Sequence, residues 1–418
     1  MSATALYAEE KPALYSALPD RITISERSDF SKYEGSRYTG HVYREARVDI
    51  RAVSVLENSI AYEGDAIVYE ETLRDQRSAA KLVDDVLPIA FTSDSNGKMV
   101  FTTDKAYPIL RSMPKPAPKD AVPGDRWTGD GIVVVRPRPG FPATRIAVLA
   151  EYQYVGSSSY AGKAAQAIKA RYAIRYKGND RLGDPDMRSA SGTRTADFLL
   201  DAENGSTLFV RESIDETYTY TDVPDIRFKG FILHFYSNSL PQDQLRIARL
   251  IDPLTQKDML GMEGSLPGKT DLPNSITVPE PPTGKDHFVP EPPEALPFEL
   301  ARSNKGLVLL LFDLRFIADS DQLLSSEKGR LDSIAEALKK LPDKSFLVEG
   351  HTAELGRAAG QLELSRQRAK KIVDELIARG IDPGRLVYRG LGADKPIASN
   401  ESEEGKARNR RVEITILD

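Results

Sequence analysis

The chain of 418 residues contains no cysteine. Disulfides, thiolate nucleophiles, cysteine-ligated metals and a lipid-modified N-terminal cysteine are therefore excluded for the sequence as it stands. No run approaches the roughly 18 apolar residues of a membrane helix, so we expect no transmembrane segment. The four histidines are scattered, and the sequence has no phosphate loop and no Gly-x-Ser-x-Gly elbow. We therefore expect no cofactor and no metal.

Excess positive charge is also absent. The 57 Lys and Arg against 62 Asp and Glu give a net charge of -5. Because phosphate contacts need a basic face, we expect no nucleic-acid partner. Residues 1–10 are rich in small side chains, as at the end of a cleaved signal peptide, but they lack the basic and apolar regions of such a peptide.

Proline is unevenly distributed. Nine of the 27 prolines lie between Pro267 and Pro297, which predicts an extended, semi-rigid linker. A smaller proline cluster between Pro114 and Pro123 indicates another boundary near residue 120. The predicted domains are an N-terminal extension (1–37), a β-rich module (38–120), a second β-rich module (121–262), a proline-rich linker (263–300) and a C-terminal domain (301–418).

Residues upstream of the linker read mostly as β-strand. Apolar and polar side chains alternate along Arg47–Val55 and Lys169–Tyr176, the period of strands with one solvent-exposed face. A short helix is expected over Ala161–Ile168. A set of aromatic residues is expected to fill the β core rather than to form a sugar-stacking site: Trp127, Tyr152, Tyr154, Tyr172, Tyr176, Tyr218 and Tyr220.

Downstream of the linker, strands alternate with helices. Leu307–Phe316 reads as a buried strand, and Leu331, Ile334, Ala335 and Leu338 fall on one helical face. Ser365 is a candidate N-cap for a second helix that ends near Gly380. The expected fold is therefore multidomain, with β-rich N-terminal and central modules and a C-terminal two-layer α/β domain.

Three motifs in the last third carry a family resemblance. They are Gly350-His351-Thr352, then Leu364-Ser365-x-x-Arg368-Ala369, then Asn409-Arg410-Arg411. Their order and spacing resemble the peptidoglycan-associating OmpA-like domain of OmpA, Pal and MotB proteins, over about 110 residues from Leu307 onwards. The resemblance implies a non-enzymatic protein of the periplasm, associated with the cell wall or outer membrane, and a divergent member of the spirochaete multidomain type.

The family pocket grips the diaminopimelate of the peptidoglycan stem peptide. An Asp takes the side-chain ammonium, and an Arg takes the carboxylate through its two-pronged guanidinium. The resemblance implies a ligand site of Arg368, Arg410, Asp319, Thr352 and Gln361. The position of the family's Asp is occupied by Ala353.

The missing Asp leaves two interpretations open. An unpaired ammonium in a partly desolvated pocket costs roughly 1–3 kcal/mol, which is about tenfold to a hundredfold in affinity. Either the domain binds a stem peptide without ordinary diaminopimelate, such as the ornithine type of spirochaetes, or it has kept the scaffold and lost the ligand. Asp319 is a better candidate than Glu354 for a relocated acid. Arg368 and Arg410 could instead be structural, paired with carboxylates across the helix–sheet seam.

Other functions remain as alternatives. The β-rich modules could bind another envelope protein, which would make the chain an interaction scaffold. An outer-membrane barrel is disfavoured because segments such as Tyr43–Arg51 place charge on both strand faces. A wall hydrolase would need a carboxylate pair, and such a pair cannot be recognised without geometry.

Overall fold

The computed structural model describes residues 14–16, 18–71, 80–237, 247, 250–251, 298–303, 306–312, 314, 316, 322–354 and 357–417. The chain divides into two compact units, residues 1–77 with 81–241 and residues 78–80 with 242–418. Most of the predicted linker, residues 263–297, lies outside the described residues, as does Asp319. Within the described residues, no helix is both long and apolar enough to cross a membrane.

The first unit is built from strands. All but the short β4 join one antiparallel sheet of twelve strands in the order β6-β5-β3-β2-β1-β13-β12-β11-β10-β9-β8-β7. The strands are β1 (Arg21–Glu34), β2 (Arg37–Val55), β3 (Ser59–Glu71), β4 (Lys81–Leu82), β5 (Asp85–Asp94), β6 (Met99–Thr103), β7 (Leu110–Arg111), β8 (Arg126–Val135), β9 (Thr144–Tyr160), β10 (Lys163–Tyr176), β11 (Met187–Asp201), β12 (Thr207–Tyr220) and β13 (Ile226–Ser237).

One face of this sheet is buried. Along β9 and β10 buried and exposed side chains alternate, as the period of two predicts. The outer strands approach each other, because the Met99 N–H donates to Ser112 Oγ at 3.0 Å and the Arg111 guanidinium lies 3.8 Å from the centre of the Phe101 ring. The six predicted core tyrosines are all buried.

Three expectations for this unit differ from the structure. β1 lies inside the predicted extension 1–37 and pairs with both β2 and β13; Glu26 interrupts its apolar alternation, which hid the strand. The proline cluster near residue 120 is a connection between β7 and β8, so residues on both sides belong to one sheet rather than to separate modules. Instead of a helix over Ala161–Ile168, Ala161 and Gly162 adopt positive φ values of 49° and 80° in a hairpin turn before β10.

The second unit combines helices with a mixed sheet, as expected. Its strands lie in the order β14-β15-β18-β16-β17, and only the β16–β17 pair is parallel. The elements are β14 (Glu299–Ser303), β15 (Gly306–Phe312), α1 (Lys328–Lys339), β16 (Ser345–Gly350), α2 (Ala358–Ala378), β17 (Leu386–Gly390), α3 (Glu403–Asn409) and β18 (Arg411–Leu417). β14 begins at Glu299, inside the range 263–300 predicted as a linker.

The predicted helical faces of this unit form its core. Leu331, Ile334, Ala335 and Leu338 of α1 are all buried, and they share one cluster with the apolar stripe of α2 and the inner face of the sheet. Gly380 follows α2 with φ 91°, as a C-terminal glycine should. Ser365 is not the N-cap, because α2 begins two turns earlier, at Ala358.

Candidate functional site

Two glycines bring α2 against the ends of β16 and β17. Gly350 and Gly390 face each other in the parallel register. A Cβ on Gly350 would lie 2.2 Å from the Ser365 carbonyl oxygen, and one on Gly390 would lie 2.4 Å from Ser365 Oγ. The fully buried Ser365 hydroxyl donates to the Leu362 carbonyl at 2.8 Å and accepts from the Gly392 N–H at 2.9 Å. This close contact fixes the helix that carries Arg368.

A pocket opens next to this contact. Arg368, one turn beyond Ser365, and Arg410, directly after α3, both line it. The Arg368 guanidinium lies 4.9 Å from the centre of the Phe316 ring, a cation–π distance that helps to orient it. The described lining residues are Leu314, Phe316, Leu324, Gly350, His351, Arg368, Arg410, Arg411 and Val412.

The arginines of this pocket are not equivalent. The Arg411 side chain is 2% exposed, and its Nε donates to Glu413 Oε1 at 2.7 Å while its Nη2 donates to the Lys395 carbonyl at 3.0 Å. Its charge is therefore compensated inside the domain. Arg410 is only half-buried, and no carboxylate of the described residues lies within ion-pair distance of its guanidinium.

Among the described lining residues there is no acidic side chain. Ala353 is 3% exposed and lies in a loop held at both sides. The Thr352 N–H donates to the Gly392 carbonyl at 2.8 Å, and the Glu354 N–H donates to Asn400 Oδ1 at 3.2 Å. The pocket is therefore cationic on its described walls, which suits a carboxylate better than an ammonium.

Comparisons with known proteins identify the second unit. Residues 315–410 match the model of the OmpA family. This part of the chain is an OmpA family domain. The peptidoglycan-binding protein ArfA of Mycobacterium tuberculosis is 39% identical over 103 residues, which cover 25% of this chain and 32% of that protein. Outer membrane protein A of Bordetella avium is 36% identical over 110 residues, covering 26% and 57%.

Each of these two matches spans less than two thirds of the relative's own length and about a quarter of this chain. A crystal structure of the periplasmic domain of Helicobacter pylori MotB is 30% identical, covers 28% of this chain and 77% of that chain, and gives a TM-score of 0.27.

Within the OmpA family domain, the predicted site residues separate into two groups. Arg368 and Arg410 are brought together in the pocket. Thr352 and Gln361 are 7% and 8% exposed and are not among its lining residues. Asp319 lies outside the described residues, so its place relative to the two arginines remains a prediction.

The Asn-Arg-Arg run has a structural side as well. Asn409 is fully buried, and its Oδ1 accepts from the N–H groups of Ile397 and Ala398 at 2.8 and 3.0 Å. Its Nδ2 donates to the Ala398 carbonyl at 2.8 Å and to Asn400 Oδ1 at 2.9 Å. Asn409 thus ties the preceding loop to α3 and fixes the backbone from which Arg410 extends.

Sequence reasoning missed a second polar group, in the first unit. We call Glu26, Arg194, Glu212, Glu216 and His234 the buried acid–base cluster; each is at most 3% exposed. Arg194 donates to both oxygens of Glu216 and, through Nη1, to Glu212 Oε1 at 3.2 Å. His234 Nε2 lies 2.9 Å from Glu212 Oε2, and its Nδ1 lies 3.5 Å from Glu26 Oε1.

The signal for this cluster was present in β12. Val210, Ile214 and Tyr218 alternate with polar residues, and the same period places Glu212 and Glu216 on their buried face. Although burial alone would raise it, Arg194 and His234 lower the pKa of Glu212 to about 2. Burial alone would lower the pKa of His234, but the neighbouring Glu212 and Glu26 raise it to about 9.

Proposed function

We propose that this chain is a non-enzymatic envelope protein whose OmpA family domain associates non-covalently with peptidoglycan through a carboxylate-binding pocket. The observation that carries the proposal is the meeting of Arg368 and Arg410 in one pocket without an acidic side chain among its described lining residues. The peptidoglycan-binding relative, 39% identical over 103 residues, supports the ligand class. A periplasmic location at the cell wall or outer membrane follows from that ligand.

In this proposal the ligand's carboxylate lies between the two guanidiniums. Arg368 is oriented by Phe316 and by the helix contact at Ser365, so little side-chain freedom remains to be lost on binding. Arg410 supplies a second charge from a backbone fixed by Asn409. The amine of a diaminopimelate side chain has no described counter-charge, because Ala353 stands at the family's Asp position.

We therefore expect the domain to bind the stem peptide specifically, but more weakly than a family member that has the Asp. Loss of the charged partner costs roughly 1–3 kcal/mol, or about tenfold to a hundredfold in affinity. The carboxylate contact remains and keeps the interaction dependent on Arg368. Asp319 is the sequence's candidate for a relocated acid, and Asp319→Asn separates this possibility: a loss of binding assigns the amine contact to it.

A sacculus sedimentation assay with the full chain tests the proposal. We expect Arg368→Ala and Arg410→Ala to reduce the bound fraction with at least a tenfold weaker apparent affinity. Arg366→Ala is the matched control, because this arginine lies on the same helix, is 45% exposed and pairs with Glu363. Binding by the natural chain that Arg368→Ala leaves unchanged would overturn the assignment of the anchor.

Ala353→Asp tests the missing half of the site. The new carboxylate would be buried without a described partner in the free protein, so we expect the free energy of unfolding to fall by about 1–3 kcal/mol. Diaminopimelate-type sacculi should bind this variant about tenfold more tightly, because their amine regains a counter-charge. No gain in binding by a folded Ala353→Asp protein would show that this position does not face the ligand's amine.

A further inference from the structure

A second pocket lies inside the first unit, over the buried acid–base cluster. Glu26 and Arg194 of the cluster line it, together with Tyr218. Its remaining walls are largely apolar and are formed mainly by Phe30, Ile109, Val134, Ile214, Phe228 and Ile232. An apolar cavity with a few convergent polar groups is the usual form of a small-molecule site.

One residue that lines this pocket, Glu26, has a buried polar atom without a hydrogen-bond partner among the described residues. Glu26 is 3% exposed; its Oε1 accepts from the Ile109 N–H at 2.9 Å, while its Oε2 has no hydrogen-bond donor among the described residues. A buried carboxylate oxygen without a donor costs free energy, so a ligand that donates to it is favoured. The adjacent His234 Nδ1 lies 3.5 Å from Glu26 Oε1 and has no closer hydrogen-bond partner among the described residues.

The charges of the cluster point to the sign of the ligand. With all five groups charged, the three carboxylates outnumber the two cations, Arg194 and His234. Because an uncompensated buried charge is expensive, a cation that reaches Glu26 restores the balance. Neither Glu212 nor Glu216 needs the ligand, since both accept from Arg194.

The opposite wall carries three other charged residues, Arg44, Glu45 and Arg136, and each has contacts within the protein. Arg44 Nη1 donates to the Arg136 carbonyl at 2.6 Å, and the Arg44 guanidinium lies 6.0 Å from the centre of the Phe228 ring. Glu45 forms ion pairs with Lys81 and with Arg27. Among the described charged residues that line the pocket, Glu26 is therefore the one with a buried oxygen that accepts no hydrogen bond.

We propose that this pocket binds a small molecule with a protonated amine on a compact apolar body, and that the amine donates to the Glu26 carboxylate. The apolar walls cover the body of the ligand, and the buried acid–base cluster holds the carboxylate in place. This site is independent of the OmpA family domain and of its proposed ligand.

Three probes with the same ring and different head groups test the proposal: 2-phenylethylamine, 2-phenylethanol and phenylacetate. Methyl NMR of the full chain, labelled at isoleucine, reads out Ile109, Ile214 and Ile232 at the pocket, with Ile372 and Ile416 of the second unit as references. We expect the amine to shift the pocket methyls saturably, with a dissociation constant at least about tenfold lower than that of the alcohol.

The variant Glu26→Gln should bring the amine to the affinity of the alcohol. Glu63→Gln, on the exposed face of β3, is the control and should leave amine binding unchanged. Equal binding of amine and alcohol by the natural chain, tighter binding of phenylacetate, or no shift at the three pocket methyls would overturn the proposal. Because the natural chain alone gives these outcomes, the test holds even if Glu26→Gln fails to fold.

Discussion

The two polar sites of this chain are built in opposite ways. The pocket of the OmpA family domain brings together Arg368 and Arg410 from two short motifs, with no acidic side chain among its described lining residues. The members of the buried acid–base cluster come from four strands of the first unit, and most of their charged groups pair with one another. The ion pairs within the cluster stabilise the fold of the first unit, whereas we propose that the two arginines of the pocket bind a ligand.

The largest expected effect is found by comparing two arginine–carboxylate pairs in the twelve-stranded sheet of the first unit. Arg194 binds Glu216 through Nε and Nη2 on the buried face, and Arg227 binds Asp215 through the same two nitrogens on the exposed face, at 2.7 Å each. Arg194→Met leaves two buried carboxylates without their main partner. We expect the free energy of unfolding to fall by about 3–5 kcal/mol, measured by chemical denaturation.

Arg227→Met is the matched control, with an expected loss of about 0.2–1 kcal/mol because the pair is 45% and 39% exposed. Equal losses of stability for the two variants would contradict the view that burial, rather than geometry, determines how much these ion pairs stabilise the fold.

A smaller effect concerns pH. The pKa of His234 is raised to about 9 in the folded chain, against about 6.5 when unfolded. A raised pKa contributes stability that is complete below pH 6.5 and is lost as pH rises through 9. We expect the free energy of unfolding to fall across this window by up to about 3 kcal/mol, and His234→Gln to flatten the decline.

If His234→Gln and the natural chain decline in parallel between pH 6.5 and 9, His234 is not held in its charged form.

A still smaller effect is expected from a side chain at Gly390, where α2 packs against the end of β17 next to the arginine pocket. A Cβ on Gly390 would lie 2.4 Å from the Arg366 backbone nitrogen and from Ser365 Oγ. We expect Gly390→Ala to cost about 1–3 kcal/mol of stability and to weaken sacculus binding, because α2 must move. Thermal unfolding and sedimentation measure the two effects.

Gly360→Ala lies on the same helix with no atom within 4 Å of its Cβ position. It should raise stability by about 0.5–1 kcal/mol, since alanine favours the helix. A destabilising Gly360→Ala together with a neutral Gly390→Ala would refute the proposed packing of α2.

The same contrast explains what the sequence could predict. The apolar faces of α1 and α2 and the C-terminal Gly380 follow from local periodicity and helix-end signals, and the meeting of Arg368 with Arg410 is what the family resemblance implies. The cluster does not follow from either, because Glu26 and His234 are more than two hundred residues apart in the sequence and become neighbours only through the pairing of β1 with β13.

Local signals also misled where tertiary structure took precedence. The prolines near residue 120 mark a connection rather than a domain boundary, because the sheet continues through β7 and β8. Serine is a preferred N-cap residue, but Ser365 lies in the middle of α2, where its hydroxyl accepts from the Gly392 N–H. Thr352 and Gln361, which the resemblance implies as site residues together with Arg368, are buried and are not among the described lining residues of the pocket.

The central claim is that the pocket recognises a carboxylate. Calorimetric titration of the full chain with two stem tripeptides, identical except for diaminopimelate or lysine at the third position, tests it directly, because the two differ by one side-chain carboxylate. We predict that the diaminopimelate peptide binds at least about tenfold more tightly and that Arg368→Ala removes this preference. Equal affinities of the natural chain for the two peptides would contradict the account.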